Sequence, residues 1–220
     1  MTEGTDFLYP FIDGGGESDP ASLLDDLAAS AAGKAATSAA LRTLTLDRTS
    51  ALQATIAAVM AERFGAGGRL FTFGNGGSST DAASLAALFS TPPWGRPLPA
   101  RCLVDDTAVL TALGNDVGFD LVFSRQLIAH AGPGDLAIGL STSGNSRNLL
   151  TAFAEARARG VLTIGLAGYD GGDMARSADV QHCLTVAADS VHRIQETQAA
   201  VAFALWAAVQ ARLDRTNGDG

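Results

Sequence analysis

Apolar residues recur at intervals of three and four along one stretch of the first third of the chain. These positions are Leu52, Ile56, Val59, Met60 and Phe64. This spacing places side chains on one face of an α-helix. The glycine-rich sequence GAGG at 65–68 follows it and is typical of a helix end. The pattern therefore predicts a long helix over about residues 38–64.

Beyond this helix, short apolar runs alternate with amphipathic stretches. The runs predict strands at 69–74, 102–104, 136–141, 161–167 and 182–187. The stretches between and after them predict helices at 78–89, 107–113, 119–131, 146–159 and 193–213. Strands that are apolar throughout and alternate with helices are typical of a parallel sheet covered on both faces. We therefore predict an α/β fold with helices on both sides of a parallel sheet.

The two ends of the chain have a different character. Residues 1–36 are interpreted as an arm, with a turn-rich linker at 13–20, a possible short helix at 21–32 and an apolar segment, FLYPFI, at 7–12. That segment is a candidate docking site for a protein partner. The domain itself is expected to span 37–214, and residues 215–220 are expected to form a disordered tail.

Charge narrows the range of partners. The chain of 220 residues has a formal net charge of −8, and Lys34 is its only lysine. Binding to a nucleic-acid backbone needs clustered Lys and Arg, so we expect no nucleic-acid partner. A small anion remains possible, because backbone N–H groups can hold a phosphate without a basic patch.

Hydropathy and cysteine content indicate the compartment. The longest apolar run, 199–209, is too short to cross a bilayer, and the N-terminus lacks the pattern of a signal peptide. We therefore expect a cytoplasmic protein with no membrane partner. Cys102 and Cys183 are too few for a disulfide framework and are expected to be buried thiols on two strands.

Two glycine- and hydroxyl-rich turns each follow a predicted strand and open a predicted helix. They are GNGGSST at 74–80 and STSGNS at 141–146. Glycine allows a close backbone approach, and the N–H groups at a helix start attract anions. Ordinary helix capping is the alternative, since residues 78–81 fit a capping box and Ser146 is a good N-cap. Two such turns at the same edge of a parallel sheet favour a phosphate site.

Five motifs in order resemble a known family. They are GNGGSSTDA (74–82), GND-GF (114–119), STSGNS (141–146), GYDGG-MA (168–175) and RIQE (193–196). Together, over about residues 38–213, they resemble the SIS-domain proteins of the phosphoheptose isomerase group. The resemblance implies a flavodoxin-like, three-layer α/β/α sandwich with a five-stranded parallel sheet behind a long N-terminal helix. It also implies a homotetramer with pockets between subunits.

The same resemblance implies a ligand and the residues that hold it. Members of the group isomerise sedoheptulose 7-phosphate to an aldose phosphate, while a bacterial relative acts instead as a binding partner of the replication initiator. Matching positions imply that the phosphorylated sugar contacts Asn75, Gly76, Gly77, Ser78, Asp81, Asp105, Asp106, Ser141, Thr142, Ser143, Ser146 and Gln195.

The sequence departs from the isomerases at the positions that carry the chemistry. The family places two histidines and a glutamate, which also hold zinc in many members, where this chain has Ser84, Leu88 and Phe203. Gln195 alone is retained, and one glutamine does not make a zinc site. We therefore expect no metal and no other cofactor.

Another group could replace the missing base. His192 lies next to RIQE and is the best candidate, with an exposed loop histidine as the alternative. Glu196 is the second candidate, although a carboxylate near a helix start is commonly structural. Two hypotheses stay open: an isomerase of the sedoheptulose 7-phosphate type with a rearranged base, and a non-catalytic phosphosugar-binding regulator or scaffold.

Overall fold

The computed structural model describes residues 20–218, with side chains described from 23 to 215. The predicted segment at 7–12 and almost all of the linker at 13–20 lie outside the described residues. Contacts divide the chain into one unit up to Ala40 and a second from Leu41 onward. Among the described residues, the first unit is the beginning of helix α1, on which Leu23, Leu24 and Leu27 are exposed.

Five strands and seven α-helices make up the described part of the chain. The strands are β1 Leu70–Gly74, β2 Ala100–Cys102, β3 Leu136–Ser141, β4 Leu162–Gly168 and β5 His182–Val186. The helices are α1 Pro20–Gly65, α2 Gly77–Ser90, α3 Thr107–Asp116, α4 Val122–His130, α5 Arg147–Ala158, α6 Gly172–Arg176 and α7 Val191–Gly218, with a single 3-10 turn at Phe119–Leu121 before α4. No described helix combines the length and hydropathy needed to cross a membrane.

The strands form one sheet in the order β2-β1-β3-β4-β5, and every pairing is parallel. This confirms the predicted α/β fold with a five-stranded parallel sheet. The order reverses between β1 and β3, since the chain proceeds from β1 to one edge and from β3 to the other. Ligands of such sheets bind beyond the carboxyl ends of the strands at this switch point.

Each face of the sheet has its own apolar core. On one face, strand residues such as Ile138 pack with Met60 of α1, Phe89 of α2 and Trp206 of α7. On the other face, Phe73 of β1 lies 5.3 Å, between ring centroids, from both Phe123 of α4 and Phe153 of α5. Helices therefore cover both faces, and the three-layer sandwich is confirmed.

Four details differ from the sequence pattern. The structure joins the helices predicted at 21–32 and 38–64 into α1, because Gly33 is the only helix breaker in the Ala-rich stretch between them. Strand β2 lies two residues earlier than predicted, since its register pairs Leu70 with Ala100. Helix α6 was not predicted. Helix α7 extends through Gly218, so the tail predicted at 215–220 lies partly within it and partly outside the described residues.

Candidate functional site

The two predicted turns lie side by side at the carboxyl edge of the sheet. Strands β1 and β3 are neighbours, and Gly74 at the end of β1 pairs in register with Leu140 near the end of β3. The first turn, defined here as residues 74–78, leads into α2. The second turn, residues 141–146, leads into α5. Both turns therefore lie at the switch point of the sheet.

A reciprocal amide pair connects the two turns. The Asn75 side-chain nitrogen donates to Asn148 Oδ1, and the Asn148 nitrogen donates to Asn75 Oδ1, each over 2.9 Å. Asn148 lies in the first turn of α5 and is 3% exposed. The two loops are thus fixed to each other by side chains as well as by the sheet.

The N-terminus of α2 is not capped by a side chain. Its N-cap residue is Gly76, with a φ of 55° that glycine adopts readily, and no side chain accepts a hydrogen bond from the helix start there. Ser79 Oγ instead donates to the Gly76 carbonyl over 2.6 Å. The alternative of a capping box at 78–81 is therefore wrong, and no side chain occupies the N–H groups of this helix start, although the Ser79 N–H donates to the Gly76 carbonyl.

The second turn concentrates hydroxyl groups around Ser141. Its Oγ accepts a hydrogen bond from the Gly144 N–H over 3.1 Å and lies 3.2 Å from Ser146 Oγ and 3.5 Å from Ser143 Oγ. Ser146 is the N-cap residue of α5, as predicted, but its side chain makes no capping hydrogen bond. The turn therefore offers a cluster of hydroxyls beside a second helix start that lacks a side-chain cap.

Helix α7 forms a third wall against the first turn. Gln195 packs so closely on Gly77 that a Cβ on Gly77 would collide with the amide nitrogen of Gln195. One helical turn further on, buried Gln198 donates to the Leu166 carbonyl over 3.1 Å and to the Ser141 carbonyl over 3.4 Å. These contacts place Gln195 where the resemblance implies it, beside the first turn.

A polar cleft of about 410 Å³ opens between α2 and α7. It is lined by Gly77, Thr80, Asp81, His192, Gln195, Glu196 and Ala199. Both candidate bases, His192 and Glu196, are exposed and face this cleft together with Asp81. The structure therefore brings the sequence-predicted acid–base candidates to the edge of the first turn.

A second, smaller cavity of about 250 Å³ adjoins the cleft and shares Asp81 and Ala199 with it. Its lining residues are Asp81, Ser84, Leu85, Leu88, Leu140, Ala199, Ala202 and Phe203. Ser84, Leu88 and Phe203 thus come together as the resemblance implies. They supply one hydroxyl and two hydrocarbon side chains.

This set of donors does not fit zinc. Structural and catalytic zinc sites use three or four nitrogen, sulfur or carboxylate ligands, whereas Leu88 and Phe203 have none to offer. Across residues 23–215, no three His, Cys, Asp or Glu side chains lie close enough together to hold a metal ion. No step of a reaction in this pocket is therefore assigned to a metal.

Asp81 has an unusual environment. The residue is half-buried, and its Oδ2 atom is buried without a hydrogen-bond partner. Burial raises the pKa of its carboxyl group above the usual value, because a desolvated carboxylate is disfavoured. Among buried side-chain oxygens such an unpaired atom is rare and calls for an explanation.

The predicted sugar ligands Asp105 and Asp106 lie after the carboxyl end of β2, the strand that pairs with β1. Both follow β2, the edge strand, and neither lines the cleft or the adjoining cavity. Asp106 is the N-cap of α3, and its carboxylate accepts a hydrogen bond from the Val109 N–H over 3.0 Å. The structure gives Asp106 a capping role that its sequence position, directly before a helix, also predicts.

The remaining histidines and the cysteines stay outside the site. His130 is the last residue of α4 and lies toward the opposite edge of the sheet, where its carbonyl accepts a hydrogen bond from Arg69. Burial lowers the pKa of His182 on β5. Neither Cys102 nor Cys183 forms a disulfide. Cys102 is a buried thiol on a strand, as predicted, whereas Cys183, also on a strand, is only partly buried.

Sequence reasoning missed several residues of the site: Thr80, Asn148, Gln198 and Ala199. Gln198 could have been found, because it lies three residues after Gln195 and therefore on the same helix face. Asn148 carries no such signal, since its partner is 73 residues away.

Comparison with known proteins places this geometry in context. Residues 34–168 match the model of the SIS domain. The chain is 44% identical over 160 residues to a phosphoheptose isomerase of Rhodospirillum rubrum, covering 70% of this chain and 82% of that protein. It is 51% identical over 126 residues to one of Sulfurimonas denitrificans, covering 56% of this chain and 64%, or less than two thirds, of the relative.

Solved structures agree with the sequence relatives. The phosphoheptose isomerase of Neisseria gonorrhoeae superposes with a TM-score of 0.78 at 33% identity, over 84% of this chain and 99% of that one. The phosphoheptose isomerase of Francisella tularensis gives a TM-score of 0.77 at 28% identity, over 86% of this chain and 98% of that one.

Proposed function

Since the chain belongs to the SIS-domain family and resembles phosphoheptose isomerases within it, we propose that it binds a phosphorylated sugar of the heptose 7-phosphate type and isomerises it between ketose and aldose. The observation that carries this proposal is the convergence of the two turns at the switch point, fixed by the Asn75–Asn148 pair. The proposal includes no metal, because the residues of the pocket do not fit zinc.

The phosphate group is assigned to the second turn. Ser141, Ser143, Ser146 and Thr142 bring hydroxyls to the start of α5, whose N–H groups favour an anion. The first turn, with Asn75, Gly76, Gly77 and Ser78, lies directly beside it. Binding by neutral donors is consistent with a pocket in an acidic chain, because it needs no basic side chain.

The sugar is assigned to the polar cleft between α2 and α7. Aldose–ketose isomerisation moves a proton between adjacent carbons and needs a general base within reach of the carbon. His192 and Glu196 line the cleft and are the base candidates from the sequence. Gln195, packed on Gly77, supplies an amide that can orient a sugar hydroxyl.

One observation favours a second candidate function. The positions that carry the chemistry in the resembling isomerases are Ser84, Leu88 and Phe203, and they line a mostly apolar cavity. A pocket that binds a phosphorylated sugar without converting it would serve a regulator or scaffold. In that function the ligand changes what the protein contacts instead of being consumed.

We also propose that the protein forms a homo-oligomer, specifically a tetramer, and acts in the cytoplasm. Supporting this, Trp94 and Phe203 are each 49% exposed, and both rings pack on the buried ring of Trp206. Exposed aromatic patches of this kind mark protein interfaces. Light scattering checks the oligomer, whereas a protein partner of residues 7–12 remains a prediction from the sequence.

The deciding experiment measures binding and turnover separately. Isothermal titration calorimetry with sedoheptulose 7-phosphate tests binding, and NMR of the same mixture, with and without added zinc, follows aldose formation. Turnover that is lost in His192→Ala or Glu196→Ala supports the isomerase. Binding without turnover supports the regulator, and absence of binding refutes both.

A further inference from the structure

Asp81 occupies the boundary between the two cavities. It lies one helical turn beyond Ser78, at the start of α2, and lines both the polar cleft and the apolar cavity. On the cleft side, the titratable groups that face it are His192 and Glu196 of α7. On the other side it faces a mostly apolar cavity lined by residues that include Leu88, Phe203 and the hydroxyl-bearing Ser84.

The two oxygens of this carboxyl group have different environments. Oδ2 is buried, and no described group donates a hydrogen bond to it. The residue as a whole is only half-buried and lines the open cleft. A buried carboxylate oxygen without a donor carries a desolvation cost. Such a cost at the edge of a ligand pocket points to a role in the chemistry.

The environment also matches what a general base needs. A base works best when its pKa lies near the working pH, and enzymes raise carboxyl pKa values by burial to reach that range. Burial raises the pKa of Asp81 in this direction. Leu88 and Phe203, which line the cavity on the other side of Asp81, supply no hydrogen-bond donor to its buried Oδ2 atom.

We propose that Asp81 is the catalytic base of this pocket, with Oδ2 held dry against the apolar cavity and Oδ1 presented to the sugar carbon. This proposal rests on the proposed phosphosugar isomerisation and deepens it. It gives one explanation for the differences from the resembling isomerases at Ser84, Leu88 and Phe203. They replace a metal-assisted centre with a desolvated carboxylate.

The proton and electron balance closes without a further reactant. Asp81 removes the proton on carbon 1 of the ketose, the C–H electron pair forms a double bond between carbons 1 and 2, and the oxygen on carbon 2 gains a proton. The resulting enediol then loses the proton of the hydroxyl on carbon 1, which becomes the carbonyl. Asp81 returns its proton to carbon 2. His192, on the same cleft, is placed to carry the proton between the two oxygens.

The test follows hydrogen exchange at carbon 1. Sedoheptulose 7-phosphate is incubated with the protein in D₂O, and deuterium incorporation is read by proton NMR for wild type, Asp81→Asn and Asp81→Glu. We expect Asp81→Asn to lower the exchange rate by at least about 100-fold, the usual contribution of a general base. Binding measured by calorimetry should weaken far less than exchange, and Asp81→Glu should restore part of the exchange.

The matched control is Asp47→Asn, which makes the same chemical change on an exposed residue of α1. It should exchange at the wild-type rate. Exchange by Asp81→Asn at the wild-type rate overturns the assignment to Asp81 and leaves the proposed isomerisation intact. If the wild-type protein binds the sugar but shows no exchange, the assignment to Asp81 is also overturned, and only the binding function stands. Wild-type protein that does not bind refutes the proposed function itself.

Discussion

Asn75 and Asn148 hold each other through two hydrogen bonds of 2.9 Å, although 73 residues separate them in the chain. One belongs to the turn after β1 and the other to the first turn of α5. Each amide supplies one donor and one acceptor to the other, so the contact is reciprocal. The two turns are therefore held together by a side-chain contact in addition to the pairing of β1 with β3.

Replacing Asn148 with alanine should loosen this connection. Asn75 would keep a partly buried amide without its partner, which typically costs about 1–3 kcal/mol. We expect the free energy of unfolding in urea to fall by that amount, and phosphosugar binding to weaken because the turns separate. Asn115→Ala, on the exposed surface of α3, should change stability by less than about 0.5 kcal/mol. Equal stability of Asn148→Ala and wild type would contradict the structural role of the pair.

Replacing Ser141 with alanine tests the phosphate assignment. Its hydroxyl is the centre of the cluster formed with Ser143 and Ser146. A hydrogen bond to a charged group contributes about 1.5–3 kcal/mol, so the Kd for sedoheptulose 7-phosphate should rise roughly 10- to 100-fold. Calorimetry measures the change, and Ser50→Ala on the exposed side of α1 is the control. A Kd within twofold of wild type would place the phosphate elsewhere.

Much of the fold follows from local patterns. The apolar run predicted at 136–141 became β3 with the same bounds, and the alternation of strands and helices predicted the parallel sheet. Where the local sequence pattern was weak, tertiary contacts determined where the strand lies. Edge strand β2 has three residues, and its position follows from pairing with β1, which no local signal contains.

The site was predictable in its components but not in its arrangement. Glycines and hydroxyls after two strands indicated both turns, because parallel strands end at one edge. The capping box at 78–81 was a local signal too, yet Gly76 became the N-cap since the first turn bends earlier. Asp81 lines one cavity with Leu88 and Phe203, and Phe203 comes from the other end of the domain. Sequence spacing cannot report such a contact.

The raised pKa of Asp81 makes stability depend on pH in a specific direction. Between its unfolded and folded pKa values the native state binds more protons than the unfolded state, so this group's contribution to the unfolding free energy falls as pH rises. Asp81→Asn removes the cost of the desolvated carboxylate. We therefore expect a higher Tm than wild type at pH 7 and a difference that shrinks toward pH 4. Thermal unfolding at several pH values measures it.

The same variant separates chemistry from structure. If the carboxylate only supported the fold, its replacement would lower the Tm. If it is a base kept at a cost to stability, its replacement raises the Tm and removes activity. Asp47→Asn, exposed on α1, should leave the pH profile of stability unchanged. A Tm of Asp81→Asn below wild type at pH 7 would show that Asp81 stabilises the fold.

Three substitutions should convert the apolar cavity into a zinc site. Ser84, Leu88 and Phe203 line one cavity of about 250 Å³, with Gln195 in the adjoining cleft. The triple variant Ser84→His, Leu88→Glu and Phe203→His supplies two imidazoles and a carboxylate, the donors that tetrahedral zinc prefers. We expect it to retain about one zinc per chain after dialysis, measured by atomic emission, and the wild type to retain far less. The single variant Ser84→His, with one imidazole, should behave as wild type. A triple variant that folds but binds no zinc would show that the three side chains do not converge as the lining of the cavity indicates.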